Sequence, residues 1–393
     1  MKAMALLVFC SIYFYSAMPM LSLNNIHSAC ALQQKEHGIR WDSSTLIRIS
    51  PQGASGSYPR MIQLKSGTLL TAYASHGNIV ITKSNDEGKT WAPPKVAAAM
   101  RDAVNMDTPE LLQLQNGAVL LCYATRPQAA LRRQPDSTKH FEIRVQQSHN
   151  GGETWSSEKI LYKAGSSFED GCWEPSAVQL PSGEIQLFFS DEAIYTQSNE
   201  QNISMLRSSD NGATWTQAPQ IISFRIGSRD GMPVPLWLKE EKRLLVAIED
   251  PGRKNFKPYV LRSDKGGEWK GVLGGNDANR WYALQNPLAD SVYAGAPCLR
   301  QLITGQTILS YQATEGRKVN RDNNAVMRVA VGDNFGRKFA NTTTPFMIPE
   351  GYHALWNGLC VLNDDTVIAV TSTNGFSKER SEIWMIKGHL AKE

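Results

Sequence analysis

The chain has little net charge of either sign. Among 393 residues, 41 Lys and Arg against 37 Asp and Glu leave a formal charge of +4, and no basic run stands out. That balance excludes the electrostatic footprint of a nucleic-acid binder or of a protein drawn to an anionic membrane surface. Cysteine is scarce: there are six, and no two have CxxC spacing, so a zinc site is not expected. Cys10 and Cys30 fall near the N-terminus. Cys122, Cys172, Cys298 and Cys360 lie in the body, and three of these sit inside apolar strand patterns. Export would permit a disulfide, but the sequence does not select a pair among the four. His76 and His353 stand alone without metal-ligand spacing, so neither a catalytic metal nor another cofactor is expected.

Long apolar runs are also missing, except at the start. "MKAMALLVFCSIYFYSAMPMLSL" carries one Lys and is then mostly apolar, with small residues following in "HSACALQQ". This predicts a secretory signal peptide over residues 1–30, cleaved near residues 29–31, and hence a secreted or periplasmic protein. The competing readings are an N-terminal membrane anchor and lipidation at Cys30, although His27 stands where a lipobox usually has an aliphatic residue. No later segment is long and apolar enough to span a bilayer, so no integral membrane segment is expected after processing. The mature chain is read as a monomer.

The rest of the sequence is repetitive. One pattern recurs six times: Pro, four residues, Leu, a short turn, then a second apolar run. The copies are "PRMIQLKSGTLLTAYAS", "PELLQLQNGAVLLCYAT", "PSAVQLPSGEIQLFFSD", "PVPLWLKEEKRLLVAIED", "PCLRQLITGQTILSYQA" and "NGLCVLNDDTVIAVTST". Their anchoring residues are Leu64, Leu114, Leu180, Leu238, Leu302 and Leu362, and Asn357 replaces the Pro in the last copy. Each copy reads as strand, tight turn, strand, with a Gly in most turns able to take positive φ.

A second motif lies between the copies. "SNDEGKTW", "SHNGGETW" and "SSDNGATW" end at Trp91, Trp155 and Trp215, and a shortened cousin, "SDKGGEW", ends at Trp269. This is the Asp box, a turn in which Asp86, Asn150 or Asp210 bonds backbone amides while the Trp packs into the sheet. These residues are read as structural. Six four-stranded units make a six-bladed β-propeller over residues 40–393, all-β and a single domain. Residues 45–50, "TLIRIS", would close the ring beside residues 381–390.

In a propeller the innermost strands line one axis. The residues beside the repeated Pro would therefore gather in one funnel, among them Tyr58, Arg60, Thr108, Glu110, Glu174, Met232 and Trp356. Second-strand ends would add Ser75, Asp191, Glu192, Glu249, Asp250 and Gln312. This placement brings Glu174 to the funnel and out of the core.

These features resemble the sialidase superfamily of propeller glycosidases over essentially the whole mature chain. "YPRMIQLKSGTLLTAYA" is similar to the sialidase R-I-P segment, with Arg60 on its arginine. A sialidase needs three arginines to clamp the substrate carboxylate. Here Phe189 and Ser190 stand where the second would fall, Asn78 stands for the acid and Trp356 for the nucleophilic Tyr. A closer resemblance is to the exo-arabinanases of glycoside hydrolase family 93. It rests on "WEPSAVQLPSGEIQLFFSDE", "RDGMPVPLWL", "LLVAIED", "YAGAPCLRQLITGQTILSYQ" and "YHALWNGLCVL". That resemblance implies a retaining hydrolase of α-1,5-linked L-arabinan, with Glu174 as acid/base and Glu249 as nucleophile.

The chemistry is consistent with that implication. Glycoside hydrolysis needs two carboxyl groups across one bond, close together for a covalent intermediate and farther apart for direct attack by water. Glu174 should be desolvated, with Trp173 and Pro175 as the expected cause. Glu249 should be held ionised by a cation such as Arg60 or Arg229. Asp191, Glu192 and Asp250 are its rivals. Trp173, Tyr293, Tyr352 and Trp356 are candidates for stacking on sugar rings, and Arg60, His76, Asp107 and Asp230 for bonding sugar hydroxyls. The expected partner is therefore an oligo- or polysaccharide related to plant arabinan. The alternatives are a propeller that holds a glycan or protein without catalysis, or a divergent exo-α-sialidase.

Overall fold

The structure, a computed structural model, describes residues 38–252 and 254–391. The expected signal peptide, with Cys10 and Cys30, lies outside the described residues. Six antiparallel four-stranded sheets follow one another around a ring. Blades 1 to 5 are each built from four strands consecutive in sequence. Their innermost strands are Ser57–Gln63, Val104–Gln113, Cys172–Gln179, Gly231–Leu238 and Ala294–Gln301. Blade 6 takes its inner three strands, Ala354–Val361, Val367–Thr373 and Glu382–Leu390, from the end of the chain. Its outer strand, Ile39–Arg48, comes from the beginning. The closure therefore falls where the sequence placed it, with the strand starting earlier and slipping register between Asp42 and Ile47.

The core lies between blades. Six apolar clusters fill the six interfaces, and every anchoring leucine is buried in or beside one. Cys122, Cys172, Cys298 and Cys360 are buried in this material as free thiols. The Asp boxes fasten neighbouring blades. Asp86 accepts from the Thr90 amide at 2.9 Å and from its hydroxyl at 2.6 Å, while the Gly88 amide donates to the Ser84 hydroxyl at 2.7 Å. These bonds hold the Asp86 carboxyl down at about 2, with the Thr90 hydroxyl the largest cause. Gly152 of the second box approaches Leu70 of blade 1 so closely that a β-carbon would stand 3.1 Å from it. Trp155 packs on the same interface. A fifth such turn is made by Asp333, which accepts from the amides of Phe335 and Arg337 at 2.9 Å each.

One irregularity is repeated in all six inner strands. Each gains one residue relative to its partner, between Ser57 and Arg60 in blade 1 and between Trp173 and Ser176 in blade 3, and at the matching place elsewhere. The first residue of each bulge has positive φ: Tyr58, Thr108, Glu174, Met232, Ala296 and Trp356, all between 49° and 56°. The second is Pro in five blades and Asn357 in the sixth. A bulged residue leaves the ladder, so the missing Pro amide costs no sheet hydrogen bond. The left-handed conformation is unfavourable for a residue with a side chain, and a bulge turns that side chain out of the pleat.

Candidate active site

The six bulges aim one side chain each at the axis. Tyr58, Met232, Ala296 and Trp356 pack together as an apolar cluster, with the Tyr58 and Trp356 rings stacked at 4.4 Å and 15°. Glu174 occupies the blade 3 position in this collar. Burial there raises its carboxyl to about 7, against the Ser190 hydroxyl, the Met232 amide and the Arg126 charge, which pull it down. Ser190 accepts from the Met232 amide at 3.1 Å and donates to Glu174 Oε2 at 3.2 Å.

Glu249 belongs to a second ring. In each blade one residue of the second strand pairs across from the residue just ahead of the bulge: Ser190, Glu249 and Gln312 in blades 3, 4 and 5. All three do the same work. Each accepts a hydrogen bond from the bulge amide of the next blade: Ser190 from Met232, Glu249 from Ala296 at 2.8 Å, and Gln312 from Trp356 at 2.8 Å. Only Glu249 among them carries a carboxyl. It lies in a slot between Gly231 and Gly295. A β-carbon on Gly231 would stand 3.2 Å from Glu249 Oε1, and one on Gly295 would stand 2.5 Å from Oε2. Burial first, and the Glu174 charge second, raise the Glu249 carboxyl to about 8.

The two carboxyls therefore flank a single dipeptide. Gly231 faces Glu249, while Met232 connects through one hydroxyl to Glu174. They form a coupled pair that holds one proton near neutrality. Tyr293 completes this side. Its hydroxyl accepts from Gln312 Nε2 at 2.8 Å and faces the same Gly295 position as Glu249 Oε2. Burial and the Glu249 charge raise this phenol well above its ordinary value.

Above the collar, a cleft of about 330 Å³ opens across blades 6, 1 and 2, lined by Ser55, His76, Asn105, Asp107, His353 and Trp356 among others. His353 Nε2 lies 2.8 Å from the Ser381 hydroxyl, and burial lowers this imidazole. Asp107 accepts from the Thr108 amide at 2.9 Å, and its carboxyl is raised by burial against the pull of Arg126. Polar groups around an aromatic floor suit a sugar, with hydroxyls bonded at the edge and CH faces stacked below.

Of the residues expected here, Glu174, Glu249, His76, Asp107, Tyr293 and Trp356 are brought to the funnel. Four others are engaged by protein groups, Asp230 and Arg60 buried, Trp173 and Tyr352 half-buried. Asp230 is fully buried, bonded to Arg280 at 2.6 and 2.7 Å and to Ser223, in an ionic cluster that also takes Asp250 and Arg225. Arg60 is buried below the collar, where it bonds the carbonyls of Pro59, Trp356 and Asn357 and lies 3.4 Å from Glu110. Trp173 has the Arg126 guanidinium 5.3 Å from its ring centre, Phe141 at 4.6 Å, and its N–H on Glu192 at 2.7 Å. Tyr352 packs on the cluster between blades 5 and 6.

The expected cation partners of Glu249 are engaged elsewhere. Arg60 is turned to Glu110, and Arg229 pairs with Glu192 and only weakly offsets the rise at Glu249. The rivals are likewise occupied: Asp191 by Tyr162, Glu192 by Arg229, and Asp250 by Arg225 and Arg280. Among the described residues, no group of three His, Cys, Asp or Glu side chains could hold a metal ion. Sequence reasoning overlooked Arg126, which stands at a second-strand end just as Asp191 and Asp250 do.

Comparison with known proteins agrees with this architecture. Residues 134–285 match the BNR repeat-like domain family. No curated protein matches the sequence. Among solved structures, a protein of unknown function from Dyadobacter fermentans superposes with a TM-score of 0.68 at 15% identity, covering 90% of this chain and 99% of that one. The GH93 α-L-arabinofuranosidase of Fusarium graminearum, solved with arabinobiose, gives 0.62 at 16%, covering 87% and 97%. The NanB sialidase from Streptococcus pneumoniae gives 0.61 at 13%, covering 94% and 72%. At these identities the likeness establishes the sialidase-like propeller fold.

Proposed function

We propose that this chain is an exported retaining glycosidase acting on α-1,5-L-arabinan or a related plant polysaccharide. The observation that carries this reading is the pair Glu174 and Glu249, two raised carboxyls on either side of one dipeptide, with Glu174 in the collar whose Trp356 also lines the cleft of blades 6, 1 and 2. Glu174, in the apolar collar, gives its proton to the glycosidic oxygen as that bond breaks. Glu249 attacks the anomeric carbon and forms the glycosyl ester. Glu174, now ionised, takes a proton from water, and that water cleaves the ester and frees Glu249. Binding of the sugar must place the shared proton on Glu174. Tyr293, whose hydroxyl faces the same Gly295 position as Glu249 Oε2, would donate its proton to the ionised form there. The similarity to an arabinofuranosidase solved with arabinobiose, together with the segments quoted above, directs the choice of sugar.

Sugar release from linear arabinan tests the reading, with a fluorogenic sialoside run in parallel and the variants Glu174→Gln and Glu249→Gln beside wild type. Glu249→Gln is a clean variant because an amide oxygen at the matching position, that of Gln312, already accepts the same kind of amide hydrogen bond. Arabinose or arabinobiose released by wild type and lost in both variants supports the proposal. Release of sialic acid, or no release from arabinan, overturns it.

A further inference from the structure

Beside Asp107, which lines the cleft, blade 2 holds a guanidinium with N–H groups left over from its one ion pair. Arg126 lies near the end of the second strand of blade 2, Val119–Pro127. Its side chain is 41% exposed, and the nearest carboxylate, Asp107, is 3.7 Å away. It makes no hydrogen bond to any described residue.

It is nevertheless held in place. Its guanidinium carbon stands 5.3 Å from the Trp173 ring centre and 5.6 Å from that of Phe168. Both supports are fixed in turn, Trp173 through its N–H on Glu192 and Phe168 edge-on against Phe141 at 5.1 Å and 85°. Contact with aromatic rings occupies the faces of a guanidinium and leaves the N–H groups along its edge free. Donors fixed in this way, with the Asp107 carboxylate at 3.7 Å as their one charged neighbour, are pre-organised for a ligand oxygen.

Blade order gives the direction. Arg126 is on blade 2, Glu174 on blade 3 and Glu249 on blade 4, so Arg126 lies on the Glu174 side, away from the nucleophile. The departing sugar leaves on the side of the group that protonates it. We infer that Arg126 is a substrate-binding residue for the leaving-group sugar, donating to oxygens of a neutral sugar ring. This rests on the proposed glycosidase reading.

The experiment compares two substrates on wild type, Arg126→Met and Arg126→Lys. One is an arabino-oligosaccharide. The other is an aryl arabinoside, whose leaving group offers Arg126 no sugar hydroxyls. A charged hydrogen bond corresponds to roughly a 10- to 100-fold effect. Arg126→Met should therefore lose about that factor in kcat/KM on the oligosaccharide and under about 3-fold on the aryl glycoside, with Arg126→Lys between. Equal losses on both substrates, or none on either, overturn the inference. The pH profile on the aryl glycoside checks that Arg126→Met has not acted through the Glu174 charge, since a shifted profile there counts against a binding role.

Calorimetric titration of the same oligosaccharide into Glu174→Gln, with and without Arg126→Met, reads the contact without catalysis. Affinity should fall by a similar factor. If wild type cleaves neither substrate yet Arg126→Met weakens binding, the glycosidase reading fails and the Arg126 contact stands. If the oligosaccharide does not bind, or binds equally to both proteins, the contact is overturned.

Discussion

Glu249 Oε2 occupies the space that a side chain on Gly295 would need: a β-carbon there would stand 2.5 Å from the oxygen and 2.7 Å from the Tyr293 hydroxyl. Both obstructing atoms are ends of side chains, so the backbone can keep its course while the reactive groups cannot. Gly295→Ala should reduce kcat on arabinan by 100-fold or more, an order-of-magnitude figure for misplacing a reacting group. Its melting temperature should stay close to wild type. Unchanged activity in a folded Gly295→Ala protein would remove Glu249 from the mechanism.

The coupled carboxyls set the pH dependence of the reaction. The active form holds one proton on the pair. Activity should fall below about 7, as the pair gains its second proton, and above about 8, as it loses its last. A profile of kcat/KM against pH that is flat across this window would separate the pair from the rate.

The same groups govern stability, with a definite sign. Glu249 rises from 4.5, the ordinary value, to about 8 on folding. Between those values the folded chain holds a proton that the unfolded chain has released. The stability so contributed is fully present below about 4.5 and is lost as pH rises through about 8. Urea unfolding at acidic and mildly alkaline pH should show this decline, and Glu249→Gln should make it shallower. An equally steep decline in the variant would contradict the burial of this carboxyl.

Asp230 gives the opposite expectation for function. Its carboxylate faces Arg280 in a fully buried ion pair. Asp230→Ala should cost about 3–5 kcal/mol by leaving a buried guanidinium short of a partner. The KM of whatever fraction folds should be unchanged. A raised KM with intact stability would return Asp230 to the substrate.

Much of this arrangement is legible in the sequence, and the rest is hidden for identifiable reasons. The anchoring leucines and Asp boxes repeat, and repetition reveals six blades without any knowledge of the contacts. The resemblance to the exo-arabinanases singles out Glu174 and Glu249 over Asp191, Glu192 and Asp250, which stand at strand ends as well. The bulge ring was not found, because a residue before Pro is expected to be extended. Five such residues, with Trp356 before Asn357 as the sixth of the ring, are left-handed instead. Asp230 was misjudged because its partner Arg280 lies in the outermost strand of the same blade, beyond any local pattern. The Asp333 turn is hidden because Val331 stands where the boxes have Ser, and no Thr or Trp follows in register. That Arg126 lies over the Trp173 ring is hidden because the two residues stand on different blades.

The seam of the ring has a mechanical consequence. Ile39 lies opposite Leu390 and Arg48 opposite Trp384 along one antiparallel pair. Both ends of the described chain therefore emerge side by side at the same corner of blade 6. Tension applied between them does not shear that pair. It opens the pair like a zipper, one rung at a time, starting from Ile39 and Leu390. Force from the two ends would part this seam before it loaded any other blade, so the ring yields first at the joint where the chain closes on itself.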